Sequence, residues 1–522
     1  MIGSTGSGPH RGPAGRVYPP PPVETSEAGG APRSGGPGLA RRAAVNTALL
    51  LVARVASRVL ALLAVLLIQR RLAAEDFGIF STVVTYTALV STVVDLGFNT
   101  LYVREGARRP DQLERFLDNV LSVKALLAVV GLLVFSAALH ARGFDDLILP
   151  GFAVLLGAAY SNLLRNTFYA NGRLIFEAID LVLEAVVLVG LCAIGLATNQ
   201  GPAFFLLAYA ASYAVACVWF ALCITLTGTA RLRWRLEWSV LRPWFITGLP
   251  LAVTSVIANV YWRADVPILQ ATKGDAEVGW YSLAYKPFEA LLFVPFTIRG
   301  VVFPVLSVYF KDSEVALRRA VAGLYRVLLL TGWPCSVGLV VMAPQIAGLL
   351  HFRYPEATQS LRILALGIAV MFVDNTFVAA LNAMDRQKLY AGIAILGLVA
   401  NVGMNIVVIP RYGYLGASWT TVITEVVLAT AGWIALWRLG VRLRLPQLSW
   451  RILLAGAAMG LVLLPMRSLD GLAALLPVAA GAIAYSAFLL IIGALNDDEK
   501  ALIRRTLRRR PPAELPAPGD QL

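Results

Sequence analysis

NTALLLVARVASRVLALLAVLLIQ, residues 46–69, is the stretch on which the fold turns. It is apolar except for Asn46, Thr47, Ser57, Gln69 and two arginines, Arg54 and Arg58. A membrane helix needs about 20 such residues. The h-region of a cleaved leader spans only about 7–15, so this segment is expected to stay in the bilayer. The preceding residues 1–43 hold ten glycines and eight prolines and no apolar run, which predicts a disordered tail.

Runs of the same kind recur along the chain. They predict spans at 46–69, 79–101, 118–139, 147–169, 175–197, 203–227, 246–270, 278–308, 320–343, 358–383, 389–409, 414–437, 452–466 and 472–495. The composition agrees: 58% of the 522 residues are apolar and 15% charged, with mean hydropathy +0.70. Ordinary soluble domains are about 45–50% apolar and about 25% charged. Soluble enzymes and disordered scaffolds are excluded on that ground. The apolar residues suffice for roughly fourteen spans. The expected fold is therefore an all-α polytopic membrane protein with about 14 helices. Loops between spans are short and leave no room for an extramembrane catalytic domain.

The net charge of +14 would suggest nucleic acid in a soluble chain. Here the basic residues are scattered over many loops with no nucleic-acid motif. With the N-terminus inside, the inner segments hold 29 Lys and Arg and the outer loops 7, a strong positive-inside bias. Both termini are expected on the cytoplasmic side of a cell membrane. The basic tail 496–522, with Lys500, Arg504, Arg505, Arg508 and Arg510, is expected near anionic headgroups. Cys192, Cys217, Cys223 and Cys335 lie in apolar runs with no CxxC spacing, and His10, His140 and His351 are far apart. Neither set reads as a metal site, and no cofactor is expected. P-loop, HExxH and GxSxG motifs are missing, so ATP-driven transport and the common hydrolytic chemistries find no support.

Two halves repeat at an offset of about 200 residues. Ile68-Gln69 returns as Leu269-Gln270, and Phe77-Gly78-Ile79-Phe80-Ser81 returns as Val278-Gly279-Trp280-Tyr281-Ser282. Asn166-Thr167-Phe168 with Arg173 matches Asn375-Thr376-Phe377 with Arg386. Six spans separate the copies, an even number, so the halves share one orientation, a parallel repeat about the membrane normal. The expected divisions are 44–235, 236–440, two further helices in 441–495, and the tail 496–522. Such architectures hold substrate between the halves.

Charge inside the bilayer costs about 2.5–3.5 kcal/mol per group even on lenient scales, so each one asks for a reason. Arg54 and Arg58 are four apart and share a helix face. Arg58 lies about 18 Å into its span, near the midplane. Snorkelling serves helix ends and explains it poorly. Asp95 lies near the inner end of the second span. Arg263 and Asp265, two apart, point about 200° apart on an ideal helix. Lys286 and Glu289, three apart, can neutralise one another. Arg299 has no acid nearby in sequence. These spans, the first two of each half, hold Arg54, Arg58, Arg263, Lys286 and Arg299 against Asp95, Asp265 and Glu289. A guanidinium excess suits a phosphate-bearing ligand, which the planar fork pairs bidentately. The three carboxylates are candidates for proton or sodium coupling, or for charge pairing.

The chain resembles the polysaccharide-transporter (Wzx-like oligosaccharide flippase) branch of the multidrug/oligosaccharidyl-lipid/polysaccharide exporter superfamily. The residues behind the resemblance begin with Leu72-Ala73-Ala74-Glu75-Asp76-Phe77-Gly78-Ile79-Phe80-Ser81, then Asp95-Leu96-Gly97-Phe98 and Arg104-Glu105. Next come Asp265-Val266-Pro267-Ile268-Leu269, Val278 to Lys286, and Ala379-Ala380-Leu381-Asn382-Ala383 before Arg386. The resemblance implies two six-helix lobes packed as a V around a central cavity, with two extra C-terminal helices. It implies transfer of a polyprenyl-pyrophosphate-linked oligosaccharide from inner to outer leaflet for surface polysaccharide assembly, with cavity arginines holding the pyrophosphate. The competing reading is a drug or metabolite exporter of the same superfamily, which would rest on an acid such as Asp265. A multi-span glycan polymerase or ligase would need a large polar outer loop, and a scaffold would not need interior charge.

Overall fold

A computed structural model describes residues 37–469, 471–495 and 499–500. Contacts divide the chain into Met1–Thr47 and Ala48–Leu522. In the first unit the described residues are helical from Pro37, so the helix starts inside the expected tail. Residues 1–36 and most of the basic C-terminal tail, including Arg504, Arg505, Arg508 and Arg510, lie outside the described residues.

Sixteen α-helices follow in order among the described residues, with no strand. They are α1 Pro37–Arg71, α2 Ala74–Asp95, α3 Phe98–Arg108, α4 Leu113–His140, α5 Ile148–Ala170, α6 Ile175–Ala197, α7 Pro202–Leu226 and α8 Trp238–Arg263. Then come α9 Asp265–Lys273, α10 Asp275–Leu291, α11 Phe293–Asp312, α12 Glu314–Leu349, α13 Glu356–Ala383, α14 Gln387–Arg438, α15 Leu445–Leu463 and α16 Leu475–Ile491. Twelve helical stretches are long and apolar enough to cross a membrane. One of them, α14, is broken at Gly413 (φ 58°, ψ −140°) into two arms. With that break counted and α16 added as a short apolar helix, the fourteen expected segments all have helical counterparts. This is a multi-pass membrane protein.

Three boundaries differ from the hydropathy reading. The second span ends at Asp95, not residue 101. Leu96 (φ 41°) and Gly97 (φ 77°) adopt left-handed backbone and stop the helix. The chain restarts as the amphipathic α3. The seventh span ends at Arg263, and Asp265 opens α9. Ala264 itself keeps helical backbone (φ −66°, ψ −24°), with the amides of Ala264 and Ile268 still bonding four residues back (2.9 and 3.3 Å), so the two side chains diverge much as on an ideal helix. The eighth span divides into α10 and α11 at Leu292, where the backbone stays helical (φ −62°, ψ −21°), in a stretch that carries Pro287, Pro295 and Pro304.

Within Ala48–Leu522, α4, α5, α6 and α7 pack together, and α12 and α14 pack extensively on α13, the most buried of the spans, with α15 and α16 on α12. The halves meet chiefly where α2 packs on α10. A Cβ on Gly78 would lie 1.7 Å from the Asp275 carbonyl oxygen, and one on Gly279 would lie 2.2 Å from that of Ala74. Each glycine faces the residue four before the other. The two copies of the repeat motif thus cross one another with a local two-fold relation, at a distance only glycine allows. At the same end the last turn of α1 is clasped. Arg353 donates to the carbonyls of Arg70 (3.0 Å), Arg71 (2.9 Å) and Leu72 (3.2 Å). Gln69 bonds the backbone of His351 and Arg353 (2.8 and 2.9 Å). A cation satisfying orphan C-terminal carbonyls also complements the helix dipole. The Tyr354 hydroxyl donates to the Leu72 carbonyl (2.7 Å), and burial pushes its pKa up.

Candidate functional site

Helices α1, α8 and α11 bury few side chains, and they carry arginines in apolar sequence. On α1, Arg54 donates to Glu177 of α6 (3.1 Å) and to the Tyr169 hydroxyl of α5. Arg58, one turn on, is exposed and makes no hydrogen bond or ion pair among the described residues. Arg263, the last residue of α8, is likewise without one. Both arginines act electrostatically on Tyr213 of α7 and on Glu289 of α10. They therefore border one region although they come from the first span of each half.

Around them the other groups are paired. Lys286 donates to Glu289 (3.1 Å) across one helical turn of α10, both side chains partly exposed. Arg165 of α5 bridges Asp180 and Glu184 of α6, at 2.8 Å each. The region thus assembles Arg54, Arg58, Arg165, Arg263 and Lys286 with Glu177, Asp180, Glu184 and Glu289, an excess of one cation. The excess sits on the two arginines that have no partner. Buried atoms of this network remain unsatisfied among the described residues: Arg165 Nε, Glu177 Oε2 and Asp180 Oδ1. Unpaired guanidinium groups in a low-dielectric setting can hold a multiply charged oxyanion far more strongly than in water.

The remaining sequence candidates lie elsewhere. Asp95, at the end of α2, pairs with Lys124 of α4 (2.8 Å), and Lys124 is fully buried. Asp265 is buried and accepts from the Tyr281 hydroxyl and from the Val266 amide (2.9 Å). Arg299 occupies a pocket of about 260 Å³ lined by Phe303, Val378, Asn382 and Tyr390. It donates to Asn375 (3.0 Å) and sits over the Phe296 ring. It does not share the neighbours of Arg58 and Arg263.

Two groups were not assigned to a site from sequence. One is the Arg165–Asp180–Glu184 network. Its signal was the i, i+4 acid pair in an otherwise apolar span, matched by an arginine one span earlier. The other is Glu425 of α14, which accepts from Tyr261 of α8 (2.7 Å). No spacing rule links those two, because they are 164 residues apart.

The architecture and the buried charges define a polytopic helical transporter-like protein with a cationic interior. The chain belongs to the family described as Polysaccharide biosynthesis protein, matched over residues 43–310. Residues 285–476 match the family described as Lipid II flippase MurJ. The EPS I polysaccharide export inner membrane protein EpsE of Ralstonia nicotianae is 27% identical over 338 residues, 61% of this chain and 76% of that protein. An uncharacterized membrane protein of Methanocaldococcus jannaschii is 25% identical over 150 residues, 28% of this chain and only 30% of its own length. The probable low-salt glycan biosynthesis flippase Agl15 of Haloferax volcanii is 22% identical over 33% of this chain and 37% of its own. Among solved structures, the lipid II flippase MurJ in an inward closed conformation superposes with TM-score 0.72 at 14% identity, covering 88% of this chain and all of that one. An inward-facing multidrug resistance MATE transporter gives 0.59 at 14% identity, covering 74% and 94%. These likenesses establish the fold.

Proposed function

We propose that the protein is a flippase that moves a polyprenyl-pyrophosphate-linked oligosaccharide from the inner to the outer leaflet for surface polysaccharide assembly. The observation that carries this reading is that Arg58 and Arg263, both without an ion pair among the described residues, lie within electrostatic reach of the same two groups, Tyr213 and Glu289. Relatives named for polysaccharide export and glycan flipping support the substrate class. The MurJ fold, the better superposition of the two, supports lipid transfer over drug export.

In this reading Arg58 and Arg263 hold the pyrophosphate, and Lys286 and Arg54 contribute field or direct contacts once released from Glu289 and Glu177. Arg299, in its separate pocket, contacts the substrate only in another conformation. The positive-inside bias puts both termini in the cytoplasm, which makes the clasped end of α1 the outer end. The protein then stands closed to the outside, and transport requires the α2–α10 crossing to part. Coupling to a proton or sodium gradient would fall to Glu289, Asp95 or Asp265. All three are engaged, by Lys286, Lys124 and Tyr281 respectively, so coupling requires one of these contacts to open. The competing exporter of organic cations would want unpaired carboxylates where two unpaired arginines stand.

The direct test is flipping of a defined lipid-linked glycan in proteoliposomes, with and without ion gradients, comparing the native chain with Arg58→Ala and Arg58→Glu at matched membrane levels. Loss of one charged contact costs about 1.5–3 kcal/mol, so Arg58→Ala is expected to slow flipping at least tenfold and Arg58→Glu further. Unchanged rates in both remove Arg58 from the mechanism.

A further inference from the structure

A second amphipathic feature lies apart from the charged interior. Between α7 and α8, residues 231–237 (Arg-Leu-Arg-Trp-Arg-Leu-Glu) form no helix or strand ladder. In sequence the arginines Arg231, Arg233 and Arg235 alternate with the apolar Leu232, Trp234 and Leu236. All six residues are exposed. The segment is nevertheless held in place on α4. The Arg233 amide donates to Asp118 Oδ1 (2.9 Å) and the Glu237 amide to Asn119 Oδ1 (2.6 Å). Arg115 donates from two nitrogens to one Glu237 oxygen (2.9 and 2.5 Å). Asp118 and Asn119 are buried, so the arginine row is mounted on the helix core.

Beside this segment a groove of about 510 Å³ runs between α4 and α5, with Trp234 at one wall. Its α4 side is Ala125, Ala128, Val129 and Leu132, an i, i+3, i+4, i+7 stripe. Phe152 and Leu156 of α5 face it. Its one polar side chain is Tyr160, whose hydroxyl points to the Leu121 carbonyl (3.5 Å). The groove can take hydrocarbon and offers a headgroup nothing. The headgroup partners are outside it: Arg231 and Arg233 have no ion pair among the described residues, and Arg235 shares Glu237 at 3.6 Å with Arg115.

We propose that the groove and the arginine row together form a binding site for one anionic phospholipid of the surrounding bilayer. An acyl chain lies along α4 and α5, the phosphate rests on Arg233 and its neighbours, and Trp234 marks the boundary between them, as interfacial tryptophans do. None of the charged residues of the interior cluster lines the groove, which separates this lipid from the transported one.

The test is native mass spectrometry of the full chain titrated with phosphatidylglycerol, with phosphatidylcholine as the zwitterionic control. Each basic residue near an anionic surface contributes roughly fivefold in affinity at low salt. Replacing Arg231, Arg233 and Arg235 together by glutamine should therefore weaken phosphatidylglycerol binding about a hundredfold. The triple lysine variant should retain most of it, which separates charge from misfolding. Val129→Trp, which fills the groove and leaves the arginines alone, should also lose the bound lipid. Native-like binding by the glutamine variant overturns the site. Native-like binding by Val129→Trp reduces it to surface charge and overturns it as well. So does displacement of phosphatidylglycerol by a polyprenyl phosphate at lower concentration, which would give the groove to the transported lipid.

Discussion

Lys124 is fully buried and, among the described residues, pairs with Asp95, itself about a quarter exposed. A pair of this kind contributes little net stability, yet removing one partner strands the other. Lys124→Met should destabilise the protein by about 3 kcal/mol or more, read as a lower melting temperature in detergent, whereas the double variant with Asp95→Leu should recover most of the loss. No recovery would mean that Asp95 has another role. Arg54 presents the opposite case. Its ties to Glu177 and Tyr169 compete with any ligand for the guanidinium. Glu177→Gln weakens that competition and should raise affinity for a pyrophosphate-bearing lipid several-fold, provided Arg54 is a ligand contact. An unchanged or lower affinity would assign Arg54 to packing. Arg58 needs no such release, which makes it the more informative single substitution.

At the scale of helices, glycine decides where α2 and α10 touch. Gly78 and Gly279 sit against each other's backbone, and backbone cannot step aside as a side-chain tip can. Gly78→Ala and Gly279→Ala should each cost about 1–3 kcal/mol through overpacking, with thermal melting as the measurement. A neutral result would show that the crossing is looser than the structure has it. Gly413 is a second such position. It is left-handed, a Cβ there would lie 2.0 Å from a Glu277 carboxylate oxygen, and Glu277 accepts from the Tyr414 amide (2.8 Å). The carboxylate sits at the start of the second arm of α14, where an anion is favoured. The arginine-bearing segment before α8 hangs on a third local device, the Arg115–Glu237 pair. Arg115 holds the Glu237 carboxylate below its ordinary range. A lowered folded-state pKa contributes stability above the unfolded value and loses it as pH falls through the folded one, so this anchor survives mild acid and releases only in strong acid.

For the whole molecule the clasp on α1 carries the strongest expectation. Arg353, from the connection between α12 and α13, holds the end of α1, so the two halves are tied at the end where α2 and α10 cross. If transport opens this end, Arg353→Ala should favour the open state by about tenfold, the minimum expected for lost charged hydrogen bonds. With the native cysteines replaced, a cysteine at the buried Ser282 should then react correspondingly faster with an impermeant thiol reagent added outside. Equal labelling rates would show that the clasp does not control access.

How much of this was legible in sequence depends on the range of the interaction. Helix type, the fourteen apolar segments and the repeat follow from period and composition, which one chain displays in order. The existence of charge in the membrane was also legible, because its cost is local. Its pairing was not. Lys286 and Glu289 share a helix and could be matched by spacing. Arg54 with Glu177 and Lys124 with Asp95 are neighbours only after distant helices pack. The helix end at Leu96-Gly97 escaped hydropathy because a window average does not register a single backbone turn.

The amino-acid sequence by itself determined that the chain is a multi-pass helical membrane protein built from two similar halves, since burying apolar length in lipid depends on composition and order alone. Tertiary structure alone decided which arginines are neutralised and which stay unpaired. That choice depends on distances of a few ångströms between helices far apart in the chain.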